Sequence, residues 1–396
     1  MASCHLAEVL TPNARFELPV LLQRSEALQN GEEWEEVQAS YEKYGTTFRQ
    51  NPESAFAGLE LVSLIKQEAR VTGHHRHYYP EALRLIDQIL MTDSLASDLK
   101  FRALTLKARI LLAQHNFKEA LAIANQVEKI HSGHPRIESV LVDCYVELGQ
   151  YEQAKKITNE LIQVQPNLET FAQLSKIREI HGNIDGAVEA MEMAATAGQP
   201  GQEKTAWIGV QLAEVLHRAG RDDAAKNVLL KVLEERPKYA FAKGTLAKIN
   251  LTQGNLASAK TLLFEAIGIV PDLSFYFSLG ELYQETKNEV AFTKTTEEIK
   301  VILAEDDKSD QNVDLAYAGL YFNLLGDPET ALIYMRKVIK TRPENIDVNR
   351  KMALIYKALK KPIHLDYHLK RATRTNSQHP DLKLLSLNTK ETLLQG

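Results

Sequence analysis

One recurrence constrains this chain more than any other feature. A glycine, or a polar residue in its place, is followed five positions later by an alanine. The pairs are His115 with Ala120, Gly149 with Ala154, Gly182 with Ala187, Gly220 with Ala225, Gly254 with Ala259 and Gly326 with Ala331. Lys287 keeps the register, with Phe292 where the alanine would stand. Successive anchors lie 34, 33, 38, 34, 33 and 39 residues apart. A self-similar period of this length is the mark of a stacked helical array. Proline keeps a second count: Pro166, Pro237, Pro271 and Pro343 each stand 17 residues after their glycine.

The two offsets have a physical reading. The glycine ends the first helix of a pair, where a left-handed residue costs least. The alanine sits early in the second helix and lets two backbones approach. The proline closes the pair, because it cannot continue a helix. Between anchors the apolar period is helical, as in Leu141, Tyr145 and Leu148, then Ala154, Ile157 and Leu161. Apolar residues make up 44% of the 396, enough for one continuous core, and the glycines and prolines recur at set places, which argues against disorder.

With Tyr276-x-x-Leu279-Gly280-x-x-Tyr283 added to these offsets, the chain resembles the tetratricopeptide repeat family. The resemblance covers roughly residues 99–375. It implies an all-α fold, a right-handed superhelical solenoid of about ten antiparallel helix pairs. On this reading residues 1–14 form a tail, 15–98 atypical N-terminal pairs, 99–345 the regular array and 346–396 a capping pair and tail. Residues 15–50 are expected to pair around Gly31. The long spacings are assigned to extended turns at Thr196–Thr205 and Glu305–Asn312.

The resemblance also implies that the first helix of each pair lines a concave groove. Groove positions counted from the anchors are Arg102, Arg109, Arg136, Asp143, Lys176, Trp207, Glu214, Phe241, Lys248, Phe277 and Glu281. Trp207, Phe241 and Phe277 recur on consecutive repeats. They read either as a ladder that anchors a peptide or partner helix or as plugs between repeats. The family's carboxylate clamp of matched Lys and Asn is not evident.

Gly73-His74-His75-Arg76-His77-Tyr78-Tyr79-Pro80 is the densest chemical motif. His74, His75 and His77 are weak candidates for a metal. No further Cys or His stands nearby at a ligand spacing, so no metal or other cofactor is expected. The alternative is a turn ahead of a helix starting near Pro80, with Tyr78 and Tyr79 packed on neighbouring helices.

The formal charge is −5, opposite in sign to a generic nucleic-acid binder. Charge is uneven, however. Arg336 to Arg374 holds twelve basic and three acidic residues. A basic end of this kind offers a second function, docking on an acidic partner, a membrane or nucleic acid. A third is a metal-responsive protein using the histidine turn. No phosphate loop, dinucleotide fingerprint, His-Glu-x-x-His or nucleophile elbow is present. The expectation is therefore a noncatalytic scaffold with protein or peptide partners.

The two cysteines, Cys4 and Cys144, provide no disulfide framework. No apolar run approaches the roughly 18 residues needed to span a bilayer. Met1-Ala2-Ser3-Cys4 resembles the end of a bacterial lipoprotein signal, with Cys4 as the lipidated residue. The Gly198-Gln199-Pro200-Gly201 turn before Trp207, and Asn312-Val313-Asp314-Leu315, are similar to features of bacterial envelope-associated repeat proteins. The expected location is a bacterial envelope, with the cytoplasm as the alternative.

Overall fold

The computed structural model describes residues 18–385, so the expectation for Cys4 lies outside the described residues. Helix α1 (Glu33–Gln50) stands alone. Nine antiparallel pairs follow among the described residues. The first four are α2 (Ala55–Thr72) with α3 (His75–Leu90), α4 (Ser97–Ala113) with α5 (Phe117–Ile130), α6 (Pro135–Leu148) with α7 (Tyr151–Val164), and α8 (Leu168–Ile180) with α9 (Ile184–Thr196). Then come α10 (Glu203–Arg218) with α11 (Asp222–Glu235), α12 (Ala240–Thr252) with α13 (Leu256–Ile269), and α14 (Leu273–Glu285) with α15 (Glu289–Asp307). The last are α16 (Asp314–Gly319) with α17 (Pro328–Thr341), and α18 (Ile346–Ala358) with α19 (Pro362–Ala372). A π-helical turn, Leu320–Leu324, extends α16. No helix among the described residues is long and apolar enough to cross a membrane.

The anchors behave as their offsets imply. Gly149, Gly182, Gly220, Gly254 and Gly326 all have positive φ, and so do the stand-ins His115 and Lys287. Lys360 adds an anchor that the spacing did not reveal. Ala120, Ala154, Ala187, Ala225, Ala259 and Ala331 are fully buried. The larger apolar clusters span neighbouring pairs, as a stacked array requires.

Four local expectations change. Residues 18–32 do not pair with α1. Pro19 lacks a donor and holds its own φ, and the segment lies extended over α1–α3 apart from one 3-10 turn, Glu26–Leu28. Tyr41 donates to the Pro19 carbonyl at 2.7 Å, and the Leu22 amide donates to the Tyr78 hydroxyl at 3.0 Å. Second, α3 begins at His75, so Pro80 lies inside it. Tyr78 and Tyr79 are buried at its start. Third, the turn after α9 spans only residues 197–202. Fourth, Glu305 and Asp306 belong to the long helix α15, which accounts for much of the 39-residue spacing.

The solenoid closes on itself. Arg342 donates through Nε to the Glu147 carbonyl at 2.9 Å, and also pairs with the Glu147 carboxylate. Asn345 donates to the same carbonyl at 3.0 Å. The Ile346 amide donates to the buried Tyr151 hydroxyl at 2.9 Å, and the Ile346 side chain joins the core of Val142, Val146 and Ile177. Arg374 donates to the Gly149 carbonyl at 2.6 Å. The last pair is thus a docked element, packed against α6 and α7 as well as against its neighbour in the chain.

Candidate functional site

Closure turns the groove into a channel. One cavity of about 610 Å³ and one of about 870 Å³ share His115, Phe117, Trp207, Glu214, Leu315, Arg342 and Lys351 in their walls. Volumes in this range suit a compact ligand or a short extended segment. The first helices α10, α12 and α14 supply one wall, while the loop before α16, α16 itself, α17 and α18 supply the facing one.

The aromatic wall is continuous. Trp207 meets Phe241 edge-on at 5.2 Å between ring centroids, and Phe241 meets Phe275 at 5.6 Å. Phe277 lines the cavity separately, beside Gly319. Phe241 serves both readings offered by the sequence, because it lines the cavity and packs on two core clusters. Phe275 escaped notice, since its buried position follows the core stripe rather than the groove register.

The structure sorts the charged candidates. Glu214, Lys248 and Glu281 line the smaller cavity, and Lys176, Asp143 and Glu214 line the larger. Arg102, Arg109 and Arg136 line neither. Arg102 pairs with Glu60 of α2 at 2.7 Å, Arg109 pairs with Glu169 of α8 at 2.6 Å, and Arg136 is exposed at the start of α6. Lys351 was missed, yet it lines both cavities. Burial, then the neighbouring Arg350, hold its ammonium below the usual lysine range.

Polar rungs join the first helices α4, α6 and α8. Ser139 donates to Glu169 at 2.9 Å, and Gln173 donates to Asp143 at 2.8 Å and to the Ser139 carbonyl at 2.9 Å. Burial, then the charge of Glu169, push the Asp143 carboxyl up to about 7, against the pull of Gln173 and Arg109. Burial opposes the charge on Glu169, but Arg109 and the hydrogen bonds it receives hold its carboxyl below the usual range.

The histidine turn lies elsewhere. His75 stacks on Tyr79 at 5.2 Å, His77 meets Tyr78 at 4.7 Å, and the His77 ring lies 2.7 Å from the Val20 carbonyl. Burial lowers the pKa of His74 and of His75. No group of three or more metal-binding side chains occurs among the described residues. Several arginines of the basic C-terminal stretch are engaged within the chain: beside Arg342 and Arg374, Arg371 pairs with Glu344 at 2.6 Å and Arg350 pairs with Asp347 and Asp381, while Arg336 is exposed.

The fold defines a helical-repeat solenoid with a lined channel. Residues 111–176, from the end of α4 into α8, match the family model of the tetratricopeptide repeat. That stretch of the chain is tetratricopeptide repeat. No curated protein matches it. Among solved structures it is similar to a chain of the APC/C hetero-tetramer Cut9–Hcn1, at 17% identity and a TM-score of 0.49, over 86% of this chain and 63% of that one. It spans less than two thirds of that relative. It is also similar to the human IFIT1 dimer with PPP-AAAA, at 17% identity and a TM-score of 0.47, over 84% of this chain and 82% of that one. A tetratricopeptide repeat protein from Parabacteroides merdae matches at 15% identity and a TM-score of 0.44, over 70% of this chain and 99% of that one.

Proposed function

We propose that this protein is a noncatalytic scaffold that holds an extended segment of a partner protein in the channel. One observation carries the reading. Trp207, Phe241 and Phe277 stand in one cavity wall with Glu214, Lys248 and Glu281 among them. Aromatic anchors interleaved with both signs of charge suit an amphipathic peptide. Tetratricopeptide repeats in general serve protein–protein interaction, and the family is generally noncatalytic.

The test is a photoreactive residue at Ser278, inside the same cavity. Crosslinked partner peptides are identified by mass spectrometry, in wild type and in Trp207→Ala/Phe241→Ala/Phe277→Ala. Loss of the crosslinked segment in the folded variant supports the channel. Unchanged crosslinks in that variant sink it. Trp207→Ala alone belongs in the set, because Trp207 lines both cavities and Phe241 also packs in the core.

Envelope attachment through lipidated Cys4 extends this reading and rests on the sequence. Labelled palmitate that enters the wild type and not Cys4→Ser supports it. Equal labelling of the two removes it.

A further inference from the structure

We propose that Lys351 selects which segment the channel holds, by pairing with a side-chain carboxylate near the middle of that segment. The proposal deepens the binding reading and rests on it. Lys351 lies on α18 and lines both cavities, together with Trp207 and Phe117.

The arginines of the channel wall already have carboxylates. Arg342 pairs with Glu147, Arg218 with Glu179, and Arg350 with Asp347 and Asp381. Among the lysines, Lys176 reaches Glu179 at 3.9 Å, and Lys248 lies within electrostatic reach of Glu281. Lys351 makes no ion pair or side-chain hydrogen bond among the described residues. The two carboxylates that act on it, Asp347 and Asp381, are both held by Arg350. A partly buried ammonium with no carboxylate of its own is unfavourable. Its lowered pKa reflects that same desolvation. A ligand that brings a carboxylate offsets the penalty, and one that brings an apolar group does not, so the lysine discriminates between them.

The surroundings name the chemistry of the occupant. An ammonium is a compact point charge and matches a single carboxylate, whereas phosphate is best held by the planar fork of an arginine. The cavities also extend from Lys351 in different directions. Phe241, Phe275 and Phe277 line only the smaller one, and Gln173, Lys176 and Gln211 line only the larger. A bound segment therefore continues on both sides of Lys351, and the carboxylate belongs to a side chain rather than to a chain end. Its neighbour on the aromatic side is apolar, and its neighbour on the other side is polar.

Two short probe peptides test this, Gln-Ser-Glu-Leu-Phe and the same peptide with Gln in place of Glu. Both are acetylated at the N-terminus and amidated at the C-terminus, and each is also made in the reverse order. Trp207 emission reports binding, read against Trp207→Phe, which keeps only the buried Trp34. The better Glu peptide should bind the full chain about tenfold more tightly than its Gln counterpart, the scale of one charge-assisted hydrogen bond. Lys351→Met should abolish that preference and leave the Gln peptide unchanged, and Lys351→Arg should restore it. Equal binding of Glu and Gln peptides to the wild type overturns the proposal, and so does a preference that survives in Lys351→Met. A Gln peptide with a free C-terminal carboxylate that binds as tightly as the blocked Glu peptide overturns it too, because the occupant is then a chain end. If no peptide changes the emission, the role of Lys351 falls, while the binding reading is still decided by the crosslinks at Ser278.

Discussion

Arg342 donates to the main-chain carbonyl of Glu147 at 2.9 Å across 195 residues of chain. Beside this contact, Gly149 and Gly254 form a natural comparison. Their φ values are 79° and 78°, yet an added Cβ meets backbone at Gly149 and nothing within 4 Å at Gly254. Gly254→Ala should cost about 1–2 kcal/mol for the left-handed backbone. Gly149→Ala should cost about 1–3 kcal/mol more, for the forced separation of the two turns. Urea denaturation of both variants measures the difference. Equal losses would mean that the turns do not touch in solution.

The buried pair of Arg24 and Glu68 ties the N-terminal segment to α2. Both side chains are fully buried, and Arg24 Nε lies 2.8 Å from Glu68 Oε2. Glu33 joins the guanidinium at 2.9 Å and reaches Arg236 at 2.9 Å. Glu68→Leu alone should destabilise by about 3–5 kcal/mol, because it removes the fully buried partner of a buried cation and leaves only Glu33 on the guanidinium. Arg24→Met/Glu68→Leu together should lose much less. If the single and double variants melt alike, the pair is not buried as described.

Much of this architecture is legible because its signals are local. The Gly149-to-Ala154 offset needs only a helix end and a close crossing, and a few neighbouring residues specify both. Trp207 and Glu214 were found for the same reason: their register is counted along one helix. Arg102 and Arg109 share that register but turn aside, because Glu60 on the preceding repeat and Glu169 two repeats further on capture them. Phe275 was missed because it follows the core stripe of α14, and Lys351 because the channel acquires its second wall only when the array closes. That closure depends on the rotation summed over many repeats, and no single repeat encodes it. Asn345 shows the limit well. As a helix cap it is readable, and as a donor to Glu147 across the closure it is not.

Ala259 tests the crossing that the repeat offset implies. It is fully buried, within a cluster that includes Ala240, Leu263 and Leu279. Ala259→Leu should overpack the site and cost about 1–3 kcal/mol. Ala259→Gly removes only a methyl group from contact but adds the helix penalty, so it should cost about 1 kcal/mol. Thermal denaturation orders the two. A leucine variant as stable as wild type would show that the crossing is looser than described.

Asp143 should make stability depend on pH with a definite sign. Its carboxyl titrates near 7 in the folded chain, against a usual value of 3.8. Between those values the folded state binds the extra proton, so stability falls as pH rises through the window. Asp143→Asn removes the charge that burial disfavours, and its amide oxygen can still accept from Gln173. The variant should gain about 1–3 kcal/mol more over wild type at about pH 8 than at about pH 5. Chemical denaturation at the two pH values measures this. A gain that is the same at both, or larger in acid, would show that Asp143 is ionised throughout and that the rung from Gln173 holds a carboxylate.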